Sequence, residues 1–417
     1  MTRQSIPEVE EALAAPDFPD RQHNLYRQLR QTAPVYWSEG LGAWLITTFD
    51  LVEQVLGAPD VFSSVGAEMA HIGKLEVSDE SETRVLTDHF GAAQLNITDP
   101  PEHTRIRRAF GRPFVPREIA SYESRIEASA QKLVEAAISD GRFDAVTHYA
   151  EPLPVQVISD VIGVPEEHRA DIPRVTLDQR FFFGQSPPEA GRARQFSSSL
   201  SEWHRLLTAA IEHRRSNPGD DVLTRAAEMI DEGRLTLTEA LATSLHLIIA
   251  GNGTTTALIG NTIYLLLTHP EQMRRVVAEP DLIPNAIEES LRYEAPLPRD
   301  RRIARCDVML EGQQIAEGDR VVSVLAAANR DPSRFDRPDA FDIDRSFTAS
   351  QHAAFGKGIH FCLGAPLARL ETKVAIEVFL TRFPDAGLPD AFEPEWHPIT
   401  THRGLVHLPI ERRMALA

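Results

Sequence analysis

Cysteine is nearly absent from this chain. Its 417 residues hold two, Cys306 and Cys362, so no disulfide framework staples the fold. A zinc site built from paired cysteines is excluded as well. Net positive charge is missing too: 43 Lys and Arg stand against 61 Asp and Glu, a balance of -18. A chain this acidic is a poor partner for nucleic acid or an anionic membrane, so any basic patch must be local. The opening stretch, MTRQSIPEVEEALAAPDF, has acids and prolines where a secretion signal needs an apolar run. No 18-residue window is free of polar groups, so no membrane span is expected. Repeats and low-complexity linkers are also lacking. These absences together point to a soluble, reduced, cytoplasmic protein.

Helical pattern is what the chain has in quantity. A prior of about 150 residues per domain would suggest two or three units. From about Pro101 to His269 helical spacing dominates. Strand-like runs flank that body: PVYWSEG and AWLITTF near the start, CDVMLEGQQIAEGDRVVSVLAAANRDP from Cys306, and GLVHLPIERR at the end. The expected fold is mainly α with small β-sheets. We read residues 1–417 as one domain, helix-rich over about 101–295 and 350–385, and β-rich over about 34–60, 300–328 and 396–412.

One helix argues for the single domain. Thr236 and Glu239 form a T-x-x-E capping box. Apolar residues then continue through ALATSLHLIIAGNGTTTALIGNTIYLLLTHP until Pro270 stops them. About 32 residues at 1.5 Å each would span about 48 Å, the width of a whole domain. Its middle, AGNGTT from Ala250 to Thr255, places two glycines where the core should be densest. Each interior glycine costs roughly 1 kcal/mol against alanine. Either a flat group lies against the backbone at a local kink, or another helix crosses closely there.

The stretch FGKGIHFCLGAPLARLE, Phe355 to Glu371, surrounds Cys362 with glycines and opens an apolar helix pattern at Leu363. Glycines allow a tight turn with inward amides. A thiolate at a helix N-terminus is stabilised by free N–H groups and the dipole. Zinc would want four ligands; a lone thiolate suits the axial position of a haem iron. Gly364, lacking a side chain, lets a flat ligand approach.

This stretch resembles the haem-binding signature of the cytochrome P-450 superfamily, F-G-x-G-x-x-x-C-x-G, through Phe355, Gly356, Gly358, Cys362 and Gly364. The resemblance runs from about Pro34 to Pro409. EESLR matches the family's structural E-x-x-R pair, Glu289 and Arg292, and FDIDR supplies its second arginine, Arg345. DPPEHTRIRR resembles the helix that grips a haem propionate, with His103 and Arg107 on one face. RRIARCDV resembles a strand whose arginine, here Arg302, reaches a propionate; His360 is the fourth such residue. Buried carboxylates need such partners. Phe355, Ala250 and Gly364 complete the implied cofactor contacts. The implied fold sets a long central helix over the haem and the cysteine loop below it. Cys306 matches no role and reads as a small packing residue.

The resemblance implies a haem b monooxygenase: Cys362 ligates iron, dioxygen is activated, and one oxygen atom enters a C–H bond of a small to mid-sized hydrophobic substrate. The implied catalytic stretch is Gly251, Asn252, Gly253 and Thr254. The family's usual A-G-x-[DE]-T-[TS] reads here Ala250, Gly251, Asn252, Gly253, Thr254, Thr255. The acid before the threonine is glycine. Water could fill the gap with Thr254 holding the distal oxygen, Asn252 or a substrate group could relay the proton, or the enzyme could desaturate or couple instead. A non-catalytic haem sensor is the alternative outside enzymology.

Arg105, Arg108 and Arg112, with Lys357 and Arg369, form the expected local basic face, suited to a small acidic ferredoxin with a separate reductase. A monomer is expected. The resemblance places the substrate pocket along about 61–96, RFFFG, the long helix, APLPR and HPITTHRG, with Phe182, Leu247, Leu297, Arg299 and Thr400 as candidates. Arg299 could meet a substrate carboxylate.

Overall fold

The structure, a computed structural model, describes residues 6–73, 80–139, 143–184, 189–347 and 351–412. Residues 74–79 of the expected pocket loop fall outside that set. Eight helices position the site: α1 (Phe18–Thr32), α2 (Glu102–Phe110), α3 (Pro152–Ile162), α4 (Ile172–Gly184), α5 (Ala190–Ser216), α6 (Leu237–Thr268), α7 (Ile283–Tyr293) and α8 (Ala365–Arg382). Other helices pack around them. Among the described residues no helix is long and apolar enough to cross a membrane.

Helix α6 starts where its sequence says. Thr236 Oγ1 accepts from Glu239 N at 3.2 Å, and the Glu239 carboxylate accepts from Thr236 N at 2.9 Å. Leu245, Ile248, Ile259 and Ile263 along it are fully buried. The helix is 32 residues long and runs unbroken through Ala250–Thr255. The expected local opening there is absent as a break. Thr254 Oγ1 instead donates to Ala250 O at 2.6 Å and Thr256 Oγ1 to Asn252 O at 3.1 Å. These side chains satisfy carbonyls of their own helix.

A five-stranded sheet lies to one side: β1 (Val35–Ser38), β2 (Ala43–Ile46), β3 (Phe62–Ser63), β4 (Asp300–Ala304) and β5 (Arg320–Ser323). The order is β1-β2-β5-β4-β3. β2 and β5 run parallel with Trp44 opposite Val321, and β4 is antiparallel to β5 with Arg302 opposite Val321. Alternation of period two divides the strands between two apolar clusters. Trp44, Ile46 and Val321 face Phe49, Leu325 and Phe335. Ala43, Leu45 and Val322 face Phe18, Tyr26 and Leu29, mostly from α1. The largest cluster surrounds α6, with α3, α5 and α8 contributing.

The tail differs from its strand-like pattern. GLVHLPIERR makes single bridges, Trp396 to Leu405 and Asp144 to Pro409, then a two-residue strand Glu411–Arg412. Its backbone bonds reach Phe143 and Ala145 instead of a long neighbouring strand. The proline at 409 cannot donate to a ladder, which limits any strand there.

Candidate active site

The cysteine loop is shaped by two left-handed glycines, Gly356 at φ 69° and Gly358 at φ 67°. At Gly358 a side chain would also strike the carbonyl oxygen of Leu56, so only glycine fits. Cys362 N donates to Phe355 O at 3.0 Å, which closes the loop on itself. Helix α8 begins at Ala365 with Gly364 as its cap. Cys362 therefore precedes the helix, three residues earlier than its first turn. Burial pushes the Cys362 thiol up, while amides of Gly364 and Ala365 and the charges of Arg107 and Arg369 pull it down. The helix-start amides act in the expected direction, the two cations add to them, and desolvation outweighs both.

The loop is braced from behind. Glu288 on α7 accepts from Arg369 Nε on α8 at 2.6 Å and pairs with His352 Nε2 at 3.1 Å. The Arg369 guanidinium lies 4.5 Å from the Phe355 ring centroid. These partners and contacts hold the Glu288 carboxyl down to about 2 against the opposing effect of its burial. One turn on, Glu289 and Arg292 form a two-pronged pair, both contacts 2.7 Å, and both side chains are fully buried. Arg345 Nε reaches Glu289 at 3.2 Å. Arg292 also donates to the carbonyls of Asn329, Pro338 and Ala340.

Helix α2, the cysteine loop and β4 bring four further residues together: Arg107, Arg302 and His360 line the cavity, and His103 stands against His360. The His103 and His360 rings stand 4.4 Å apart at 61°. Burial, then Arg302 and His103, lowers His360 to about 4; burial, then Arg107, lowers His103. Both imidazoles are neutral near pH 7. Arg302 Nη1 is held by Asp300 at 2.8 Å, and Arg107 Nη2 donates to Phe361 O at 2.8 Å. His103 Nε2, Arg302 Nη2 and both nitrogens of His360 are buried without a hydrogen-bond partner among the described residues. Orphaned polar atoms are rare inside proteins, and four in one place ask for a polar ligand.

Cys362, Leu363, Gly364 and Phe355 line one end of a cavity of about 410 Å³. Ala250, Gly251, Thr254 and Thr255 of α6 line it as well. A side chain at Gly364 would meet nothing within 4 Å, so that flank is open to a flat group. The glycine pair of α6 has two separate causes. A Cβ at Gly251 would approach Ile158 of α3 to 2.7 Å, so a close helix crossing demands it. At Gly253 the place of a side chain is filled by the guanidinium of Arg180, from α4.

Several expected site residues lie elsewhere. Asn252 does not line the cavity; its amide donates to Thr176 on α4 at 3.2 Å, so it does not face the reaction space. The space at Gly253 is taken by Arg180. Phe182 is fully buried among Phe183 and Phe196, and Phe183 faces the cavity instead. Adjacent helical residues point about 100° apart, which separates the two rings. Thr400 bonds Gly184 O at 3.3 Å and is replaced on the wall by Thr401 and His402. Leu247, Leu297 and Arg299 do line the cavity. Arg299 is nevertheless held by Tyr26, Nε to the hydroxyl at 2.9 Å, with the Phe18 ring centroid 4.9 Å away. Arg105 is engaged by Glu239 and the carbonyl of Arg234, so it is not a free surface charge. Lys357 pairs with Glu53 at 3.3 Å and Arg369 with Glu288. Arg108 and Arg112 stay exposed.

Comparison with known proteins settles what this arrangement belongs to. The cytochrome P-450 family model matches residues 192–385. Cytochrome P-450 107B1 of Saccharopolyspora erythraea is 38% identical over 411 residues, covering 97% of this chain and 98% of that protein. The monooxygenase PikC of Streptomyces venezuelae is 36% identical and covers 99% and 96%. Among solved structures, CYP109E1 of Bacillus megaterium in complex with testosterone superposes with a TM-score of 0.85 at 32% identity, covering 96% of this chain and all of that one. With likeness of this extent over nearly its whole length, the chain belongs to the cytochrome P-450 family, and it is a monooxygenase whose cofactor is haem b on a cysteine thiolate.

Proposed function

We propose that the enzyme hydroxylates a small to mid-sized hydrophobic substrate with electrons from a ferredoxin and its separate reductase, and that Cys362 is the thiolate on the haem iron. One observation carries this reading: Cys362 and Thr254 line the same cavity, beside four buried polar atoms with no partner of their own. The residues fit the group. Two propionates would accept from His103 Nε2, Arg302 Nη2 and His360, with Arg107 adding charge. Bound haem supplies dioxygen activation.

The chain supplies the surroundings. Amides of Gly364 and Ala365 temper the charge on Cys362. With its own proton directed at Ala250 O, Thr254 Oγ1 offers lone pairs to the cavity. A water donating to that oxygen is thereby oriented; the space beside Gly253 itself is held by Arg180. Leu247, Leu297 and Phe183 give apolar walls that exclude further water. Arg108 and Arg112 provide the exposed charge for an acidic ferredoxin.

The test is turnover. Substrate-dependent NAD(P)H oxidation through a ferredoxin and reductase, with an oxygen atom found in the product, supports the reading; haem reduction without product rejects it. Replacing Arg108 and Arg112 with Glu should slow reduction by ferredoxin about tenfold at low salt and flatten its salt dependence. An unchanged rate would move the docking face elsewhere.

A further inference from the structure

Arg180 projects from α4 against α6 and lines the cavity. Its Nη2 is buried, and no hydrogen bond reaches it among the described residues. Glu151 is the acid whose field acts on it. His397 and His402, both held neutral by burial and by this guanidinium, can offer it no charge. Burial lowers Arg180 only to about 10, so it is cationic at neutral pH. An unpaired charge at such depth is costly. The guanidinium rests in the space left by the missing side chain of Gly253. A carboxylate on residue 253 would have been its counter-ion; in this chain that counter-ion is not part of the protein.

Building on the function proposed above, we infer that the substrate is itself an organic acid, and that its carboxylate pairs with Arg180 where the guanidinium lines the cavity. Guanidinium and carboxylate match as a two-pronged pair. The acid end is then fixed at the α4–α6 wall, and the apolar remainder lies against Leu247, Phe183 and Leu297. Arg299, the arginine expected to take a carboxylate, also has an unbonded Nη2, but its Nε is held by Tyr26 and its face lies against Phe18. The glycine at 253 thus serves specificity: an internal acid there would compete with the substrate's own.

The ferric holoenzyme gives the test. Its reduced carbon monoxide complex is first checked for the thiolate spectrum, so that failure of the cofactor assignment is seen separately. Medium-chain aliphatic and aryl carboxylic acids are then titrated beside their methyl esters, and the spin-state shift at the haem is followed. The inference expects at least one acid to bind about tenfold or more tightly than its ester, the size of one charge-assisted contact. Arg180→Leu should erase that preference while ester binding stays within about twofold. Gly253→Ala, whose Cβ would fall on the guanidinium and force it from its place, should weaken the same preference. Acids and esters binding alike, no acid producing a shift, or both variants leaving the acid preference intact would each overturn the inference.

Discussion

Two arginines of this enzyme contrast, one fully buried and one half-buried. Arg292, on α7, has its guanidinium bonded to both oxygens of Glu289 and to three carbonyls. Arg180, on α4, is bonded to nothing through Nη2 and faces a cavity. Both are charges taken out of bulk water. The difference teaches how to tell architecture from recognition. Where the protein satisfies every donor, the charge fixes backbone, here the segment from Asn329 to Ala340 that precedes the cysteine loop. Where the protein leaves a donor open at a cavity, the missing partner comes from outside.

The comparison breaks first at Arg292. Arg292→Leu would take from the fully buried Glu289 carboxylate its two-pronged partner, leaving Arg345 and the Asp342 amide, and would strand three carbonyls, at about 3–5 kcal/mol. Chemical denaturation should show that loss together with weaker haem retention; a change below about 1 kcal/mol would refute the architectural role. Glu288 gives the next effect. Its carboxyl is held at about 2 against an ordinary 4.5 by His352 and Arg369. A depressed carboxyl contributes stability that is present above pH 4.5 and is lost as pH falls towards 2. That is up to about 3 kcal/mol at 1.36 kcal/mol per unit. Glu288→Gln should remove it at pH 7 and flatten the acid limb of the stability curve between those values. Parallel curves for the two proteins would contradict the brace.

Arg299 lies between the extremes, with Tyr26 and Phe18 as partners and one open Nη2. Arg299→Leu should cost about 1–2 kcal/mol and leave binding of acidic ligands unchanged; lost acid binding would move the recognition role to it. Arg180→Leu is the smallest effect in stability. Removing an unpaired buried charge should leave the melting temperature unchanged or raised. A drop comparable to that of Arg292→Leu would erase the distinction between the two arginines.

Much of this was legible in the sequence, for identifiable reasons. The capping box at Thr236 and the stop at Pro270 delimit α6, because both act through local backbone groups. Glu289 and Arg292 meet because they are three residues apart on one helix. Gly358 announces a close approach that only glycine allows. What was hidden depended on distant partners. Asn252 turns from the cavity because Thr176, 76 residues earlier, takes its amide. Arg105 looks like free surface charge until Glu239 is placed beside it. Arg180 opens the RFFFG run, where the aromatic residues drew the eye. The signal was a cation at the head of an aromatic run together with glycine in the place of an acid, and only the packing of α4 on α6 joins the two.

The proposed function rests on one bond, from the Cys362 sulfur to the haem iron. The most direct test is the absorbance of the reduced carbon monoxide complex of wild-type holoenzyme and of Cys362→Ser loaded with the same haem. The account predicts the strongly red-shifted Soret band of a thiolate-ligated haem in the wild type and its loss in the variant. A variant that keeps that band, or a wild type that lacks it, would contradict the account.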